Sequence, residues 1–257
     1  MSRQPKYRFY ATLLDTFQSY LGSGEIWQKY WGDSSKEDAP TAEEFEARCF
    51  HDLIDRINRV PFSSEKADRG TCFNEIVDCL ILNRNTDRSD MTISADRETQ
   101  TITAILRDKA YTFPMCICRE FAKYYQGATP QVLCSGVLTT KYGDVELYGY
   151  IDELMPFGIH DIKTTGSYSA GDFRNHWQHH VYPYCMEQMG NHIEHFEYNI
   201  CEIKSSKSGC KYTTFTEYYP YIPDVSIPAL TGHCEGLIEF IEIYRDLITD
   251  KKIFNEL

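Results

Sequence analysis

Leu13, Leu14, Phe17 and Leu21 recur near one face of a helical period, which predicts a short amphipathic helix from Tyr10 to Tyr20. The stretch from Gly22 to Pro40 is polar and broken by glycine, serine and proline. It reads as a loop with an aromatic turn at Trp27 to Trp31. A second helix starts at Thr41: Thr41 and Glu44 have capping-box spacing, Phe50, Leu53, Ile54 and Ile57 follow at helical intervals, and Pro61 ends it. From about Thr71 to Leu82 the chain is apolar almost all round, with a narrow polar sector of Asn74, Glu75 and Asp78, so a buried helix is expected. Two strands follow, Met91 to Ala95 and Thr101 to Leu106, then a helix from Pro114 to Tyr125. Alternation predicts further strands at Gln131 to Thr140, Val145 to Asp152 and Gly158 to Lys163, with turns at Gly143-Asp144 and at Pro156 to Gly158. Phe173 to Met189 reads as a helix, His195 to Lys204 and Lys211 to Tyr219 as a strand pair, and Ile227 to Leu247 as a closing helix.

This order, with no internal repeat, argues for one α/β domain over residues 1–257 with a central mixed sheet flanked by helices. Residues 1–68 form a helical N-terminal extension and 69–257 the core. A chain of this length can bury a sizeable core. It has no run of about 18 apolar residues, and no apolar stretch behind Arg3, Lys6 and Arg8 that resembles a signal peptide. A soluble, cytoplasmic protein without membrane contact is the expectation. The net charge of −12 counts against a long, sequence-independent grip on DNA, while leaving room for a small basic groove on an acidic body. It implies weak unaided affinity or a partner that delivers the substrate. The ten cysteines form no Cys-x-x-Cys pair and mostly adjoin apolar residues, as reduced, buried thiols do.

The chemistry concentrates in Gly149-Tyr150-Ile151-Asp152-Glu153-Leu154 and His160-Asp161-Ile162-Lys163-Thr164-Thr165. Along a strand Asp161 and Lys163 share one face while Ile162 points away, and Asp152 lies on the face of Glu146, Tyr148 and Tyr150. If the two strands pair antiparallel, Asp152 and Asp161 come within roughly 5–7 Å. Carboxylates that close repel unless a proton or a cation lies between them, and a hard cation such as magnesium or manganese satisfies both. Lys163 is then placed to orient or deprotonate an attacking water, or to balance charge on a phosphate. A lone Asp-x-Lys is otherwise an ordinary surface ion pair.

The surrounding order of elements raises the odds. Arg69-Gly70-Thr71-Cys72-Phe73-Asn74-Glu75 opens the buried helix, and Trp177-Gln178-His179-His180-Val181-Tyr182 lies on the next, with Gln178 and Tyr182 four apart on one face. From Arg69 to Glu187 this layout resembles the PD-(D/E)xK nuclease superfamily, and within it the RecB-like and phage-type exonuclease group. The resemblance implies a restriction-endonuclease-like core and hydrolysis of DNA phosphodiesters with Mg2+ or Mn2+. It implies that Glu75, Asp152 and Asp161 surround the metal with the Ile162 carbonyl, that Lys163 assists the nucleophile, and that Gln178 and Tyr182 brace the site or touch DNA. One departure is Asn74, where many RecB-like members have histidine: either Glu75 supplies the ligand from the helix, or metal affinity falls. Some such nucleases hold an iron–sulfur cluster through four cysteines, but Cys185, Cys201, Cys210 and Cys234 are too widely spread for that pattern. An exonuclease of recombination or repair type, with DNA and a recombination or DNA-loading protein as partners, is the function implied. The alternative is a nuclease-fold binding module that has lost catalysis and is recruited by a protein partner.

Other candidates carry less. His176, His179, His180, His192 and His195 cluster, and His176 and His180 at four apart could seat zinc, but a solvated helix face is the better reading. His160 points away from Asp161, into the core or onto a backbone group. Lys204, Lys207 and Lys211 are candidate phosphate contacts. Tyr218, Tyr219 and Tyr221 could stack on bases, though a half-buried strand edge is the commoner case.

Overall fold

Alternating apolar and polar residues produce three long strands, β5 (Thr129–Thr140), β6 (Gly143–Met155) and β7 (Gly158–Thr165), and a second hairpin of β8 (His195–Ser206) and β9 (Gly209–Pro220). The computed structural model describes residues 4–34, 38–206 and 209–255. It shows a mixed α/β architecture, a central mixed sheet flanked by helices. β6 pairs with β5 antiparallel along nearly its whole length. Its other edge has two neighbours. β1 (Tyr7–Tyr10) runs parallel to it from Tyr7↔Val145 to Tyr10↔Tyr148, and β7 joins it antiparallel only at Glu153↔His160, Leu154↔Ile159 and Met155↔Gly158. Gly149 to Asp152 therefore carry no ladder on that edge, and the sheet is split there. β7 continues parallel to β8, which pairs antiparallel with β9.

Two cores lie on opposite faces. The first is filled by α1 (Ala11–Leu21), α3 (Ala42–Ile57), α6 (Gln178–Gln188) and α7 (Pro223–Ile243), with Leu14, Phe17, Leu53, Val181 and Leu237 packed on Leu147, Phe196 and Ile200. The second joins α4 (Glu65–Leu82) and α5 (Met115–Tyr124) to a separate antiparallel sheet of β2 (Met91–Asp96), β3 (Thr101–Leu106) and β4 (Lys109–Pro114). Ile162 and Cys201 enter this core from the central sheet, whereas Ile200 enters the first, as alternation along a strand requires.

The expected capping box forms: Glu44 N–H donates to Thr41 Oγ1 at 3.2 Å, and Thr41 N–H to Glu44 Oε2 at 2.9 Å. Elsewhere the structure differs from the pattern. Ser23–Trp31 is a helix, α2, not a loop; the Trp27 indole donates to the Pro40 carbonyl at 2.8 Å and ties the following segment back. α4 starts at Glu65, where Ser64 caps Ala67, so the expected boundary at 68/69 falls inside a helix. Gly70 is tolerated within α4 because the helix passes β7 closely: a Cβ there would lie 3.3 Å from Thr164 Oγ1. β1 and β4 were not expected, and α6 starts at Gln178 rather than Phe173. Residues 1–68 also supply more than an outlying extension, giving β1 to the central sheet and α1 and α3 to the first core. All ten cysteines are free; Cys72, Cys79, Cys118, Cys134, Cys185, Cys201 and Cys234 are buried. No helix among the described residues is long and apolar enough to cross a membrane.

Candidate functional site

The split in the sheet is where the acidic residues meet. Beyond the last β6–β7 pair, the Asp152 side chain takes over from the missing ladder: its Oδ2 accepts the Ile162 N–H at 2.9 Å. The same oxygen accepts from Asn74 Nδ2 at 3.0 Å, which ties α4 to the strand. On β7, Asp161 and Lys163 share the face expected of them. Lys163 Nζ lies 2.7 Å from Asp161 Oδ2, and Ile162 turns into the second core.

Gln178, the first residue of α6, links the pair. Its Nε2 donates to Asp161 Oδ1 at 2.6 Å, and its Oε1 accepts from Lys163 Nζ at 2.7 Å. Both ends of one amide are thus used to fix an acid and an amine relative to each other. Tyr182, one turn on, places its hydroxyl 3.4 Å from Gln178 Nε2. Its ring lies on Gly149, where a Cβ would come within 2.5 Å of the ring. Glycine at 149 is therefore the condition for α6 to sit this close to β6.

Glu75 does not join this group, which corrects the expectation that it supplies a ligand. One residue further along a helix turns the side chain by about 100°. Asn74 consequently faces the strands, while the Glu75 carboxylate is held by Arg84 at 3.1 Å and by the Cys79 thiol at 3.3 Å. Among the described residues no group of three or more His, Cys, Asp or Glu side chains is placed to hold a metal. The oxygens that converge are two carboxylates and one amide. Asn74 Oδ1 is buried without a hydrogen-bond partner, and Asp161 Oδ2 has only the ion pair with Lys163.

Burial, and then the charge of Asp161, push the Asp152 carboxyl up to about 8. For Lys163, burial works against the ammonium, but the charge and hydrogen bond of Asp161 outweigh it and the pKa lies above the ordinary lysine value. A second pair adjoins this site. Asp78 and Glu153 are fully buried; Gln131 donates to Asp78 Oδ2 at 3.1 Å, and Asp78 Oδ1 and both Glu153 oxygens have no other donor. Burial raises both carboxyls, and the pair keeps a proton between them at neutral pH. Glu153→Gln puts a permanent donor opposite Asp78. We expect it to stabilise the protein by about 1 kcal/mol in alkaline buffer and by less in mild acid, measured by denaturant unfolding. A variant less stable than wild type in both buffers would show that no proton is shared there.

Two neighbours have no local signature in the sequence. Asp15 on α1 accepts the Trp177 N–H with one oxygen and faces His176 Nδ1 at 3.4 Å with the other, fixing the start of α6. The Tyr198 ring lies 5.6 Å from Lys163 Nζ, within cation–π range. Both come from segments distant in sequence, and only the fold assembles them.

The histidines do not line a solvated helix face. His176 precedes α6, and His179 is buried, stacked on Tyr219 and lowered by burial to about 3. His180 meets Ser226 Oγ at 3.0 Å. His160 is buried, but its partners are side chains, Asn199 and Glu197, each at 3.2 Å. Lys204 pairs with Glu202 at 2.9 Å and stands opposite Lys211 in the β8–β9 register, while Lys207 lies outside the described residues. Tyr218 is exposed and stacked on His195, Tyr219 is half-buried and bonded to Glu217, and Tyr221 is buried.

No family model matches this chain, and no curated protein matches it. One solved structure, described as the crystal structure of SSO0001, aligns over 91% of this chain and 78% of that chain at 10% identity, with a TM-score of 0.41. A likeness of that size says nothing of chemistry.

Proposed function

We propose that this protein is a metal-dependent DNA nuclease built on a restriction-endonuclease-like core, an exonuclease of the recombination or repair type. The observation that carries the reading is the single network in which Gln178 joins Asp161 to Lys163, beside an Asp152 carboxylate drawn into the split of the sheet. A largely buried Asp161–Lys163 ion pair beside a second acid that burial keeps protonated is costly to desolvate, and a cation in the split would let both acids ionise.

The donor set fits magnesium or manganese. Asp152, Asp161 and the Ile162 carbonyl would hold the ion, and the unpartnered Asn74 Oδ1 offers one more hard oxygen, the remaining positions going to water. A bound ion of this kind supplies polarisation of a phosphoryl oxygen and a more acidic water. The protein's own groups do the positioning. Lys163, with its raised pKa, remains an ammonium at neutral pH, so its role is to orient the water and balance phosphate charge rather than to take a proton. Gln178 keeps Asp161 and Lys163 in register, and Tyr182 supports Gln178 from below.

Linear single- and double-stranded DNA incubated with magnesium or manganese tests this. Wild type is expected to cleave only with the divalent ion, and Lys163→Ala to be slower by about a hundredfold or more. Equal inertness of both proteins with both metals would favour the second reading, a binding module recruited by a recombination or DNA-loading protein. The net charge of −12 and Asn74 in place of a better metal ligand support that alternative.

A further inference from the structure

Where the Asp161–Lys163–Gln178 network ends, a cavity begins. It measures about 830 Å3 and lies between α1, α2, α3 and the segment 171–176. Asp15 is the shared wall: it lines the cavity, accepts the N–H directly before Gln178, and its charge reaches Lys163. The volume is that of a small-molecule site.

Its lining has an unusual balance. Asp15, Glu25, Asp52, Asp55 and Asp172 contribute carboxylates. The two cations on the wall are engaged: Lys29 is 4.0 Å from Asp172, and the Arg56 guanidinium lies 5.7 Å from the Phe62 ring. Tyr30 and Phe62 also line it and remain 62% and 67% exposed although each carries a cation near its ring, Lys29 at 5.1 Å from Tyr30 and Arg56 over Phe62. A phosphodiester backbone running through this space would meet one like charge after another. A nucleobase would not. It is neutral, its amino groups donate to carboxylates, and its π-face stacks on tyrosine or phenylalanine.

We propose that this cavity receives the terminal nucleoside of a DNA strand whose adjoining phosphodiester lies at Lys163, and that its acidic wall turns away a backbone that continues. The proposal rests on the nuclease reading and deepens it. It makes the action exonucleolytic by charge, and it requires a terminus without a phosphate.

The test uses full-length protein with magnesium or manganese and four single-stranded substrates. One is linear with hydroxyls at both ends, one carries a 5′ phosphate, one a 3′ phosphate, and one is a closed circle. Wild type is expected to degrade the hydroxyl-ended strand, to be slowed about tenfold by phosphate at the end that enters, and to leave the circle intact. High salt should shrink the discrimination. In Asp52→Asn with Asp55→Asn, both exposed on α3, the ratio of the hydroxyl-ended to the phosphate-ended rate in the same protein should fall to about twofold or threefold, whatever the change in the absolute rates. A circle cut as fast as a linear strand, no slowing by phosphate at either end, or an undiminished penalty in the double variant would each overturn the cavity proposal and leave the nuclease reading standing. No cleavage of any substrate would overturn the nuclease reading and the proposal with it.

Discussion

Asp152→Asn is expected to lower cleavage by about a thousandfold or more while making the metal-free protein more stable in mild alkali. The two effects have one cause. In the folded chain the Asp152 carboxyl is pushed up to about 8, first by burial and then by Asp161. Its folded pKa lies above the unfolded value, so the native state holds a proton that the unfolded chain has already released. Stability therefore falls as pH rises toward about 8, and most of the loss is present above it. Below pH 6.5 the buried histidines oppose this trend, because His179 and His233, lowered by burial to about 3 and about 4, favour the native state as pH rises toward their unfolded value. From about 6.5 to 8 the histidines no longer contribute, and the slope belongs to Asp152 together with the Asp78–Glu153 pair, so the difference between variant and wild type isolates Asp152. Asparagine removes the charge and its burial penalty, and with it a carboxylate that the proposed ion needs. Thermal unfolding across that window with chelator present, and again with magnesium, checks both halves. Wild type should lose stability with pH and regain it with magnesium; the variant should lose less over the same window, keeping only the slope of the Asp78–Glu153 pair, and should gain little from magnesium. Unaltered cleavage in Asp152→Asn would remove the residue from the site.

Valine at Gly149 is expected to cost about 1–3 kcal/mol and to reduce activity together with stability. A Cβ at 149 would stand 2.5 Å from Tyr182 Cε1 and 3.1 Å from its hydroxyl. Tyr182 cannot simply swing aside, since it is buried in the first core beside Phe196 and its hydroxyl meets Gln178. The strain passes to the start of α6 and so to the amide that joins Asp161 and Lys163. Truncating Tyr182 to leucine in the same chain should recover much of the stability lost at 149, giving a coupling of about 1 kcal/mol or more in a double-mutant cycle. Additive losses would show that the ring and the strand do not depend on each other in this way.

How much of this was legible before the structure varies with how local the signal is. The strands β5 to β9 follow from alternation, and the Gly143-Asp144 turn from a glycine that adopts φ of +120°. At the next turn the residue with positive φ is Phe157, between the expected turn formers Pro156 and Gly158. Asp161 and Lys163 fall on one face because a strand's period is two, and Gln178 meets Tyr182 because a helix nearly repeats in four. Nothing local distinguishes Asn74 from Glu75. Both are polar residues on a buried helix, and only the angle at which α4 crosses β7 decides which one reaches Asp152. β1 was missed because four residues carry too little pattern, and its partner lies far along the chain. α2 was missed because Gly22, Gly24 and Gly32 mark it as a turn, although its helix is held by contacts with α3 and by the Trp27 indole.

The parallel seam between β1 and β6 also bears on how the chain is made. Tyr7 cannot find its strand partner until Val145 has left the ribosome, so α1 and α3 can pack on each other but wait with the faces they present to the sheet uncovered. A nascent chain arrested before that point would be a target for chaperones and proteases, and maturation should be slow relative to synthesis of the first half. Any restraint on β1 acts on the same late closure, and through it on the edge of β6 that carries Asp152.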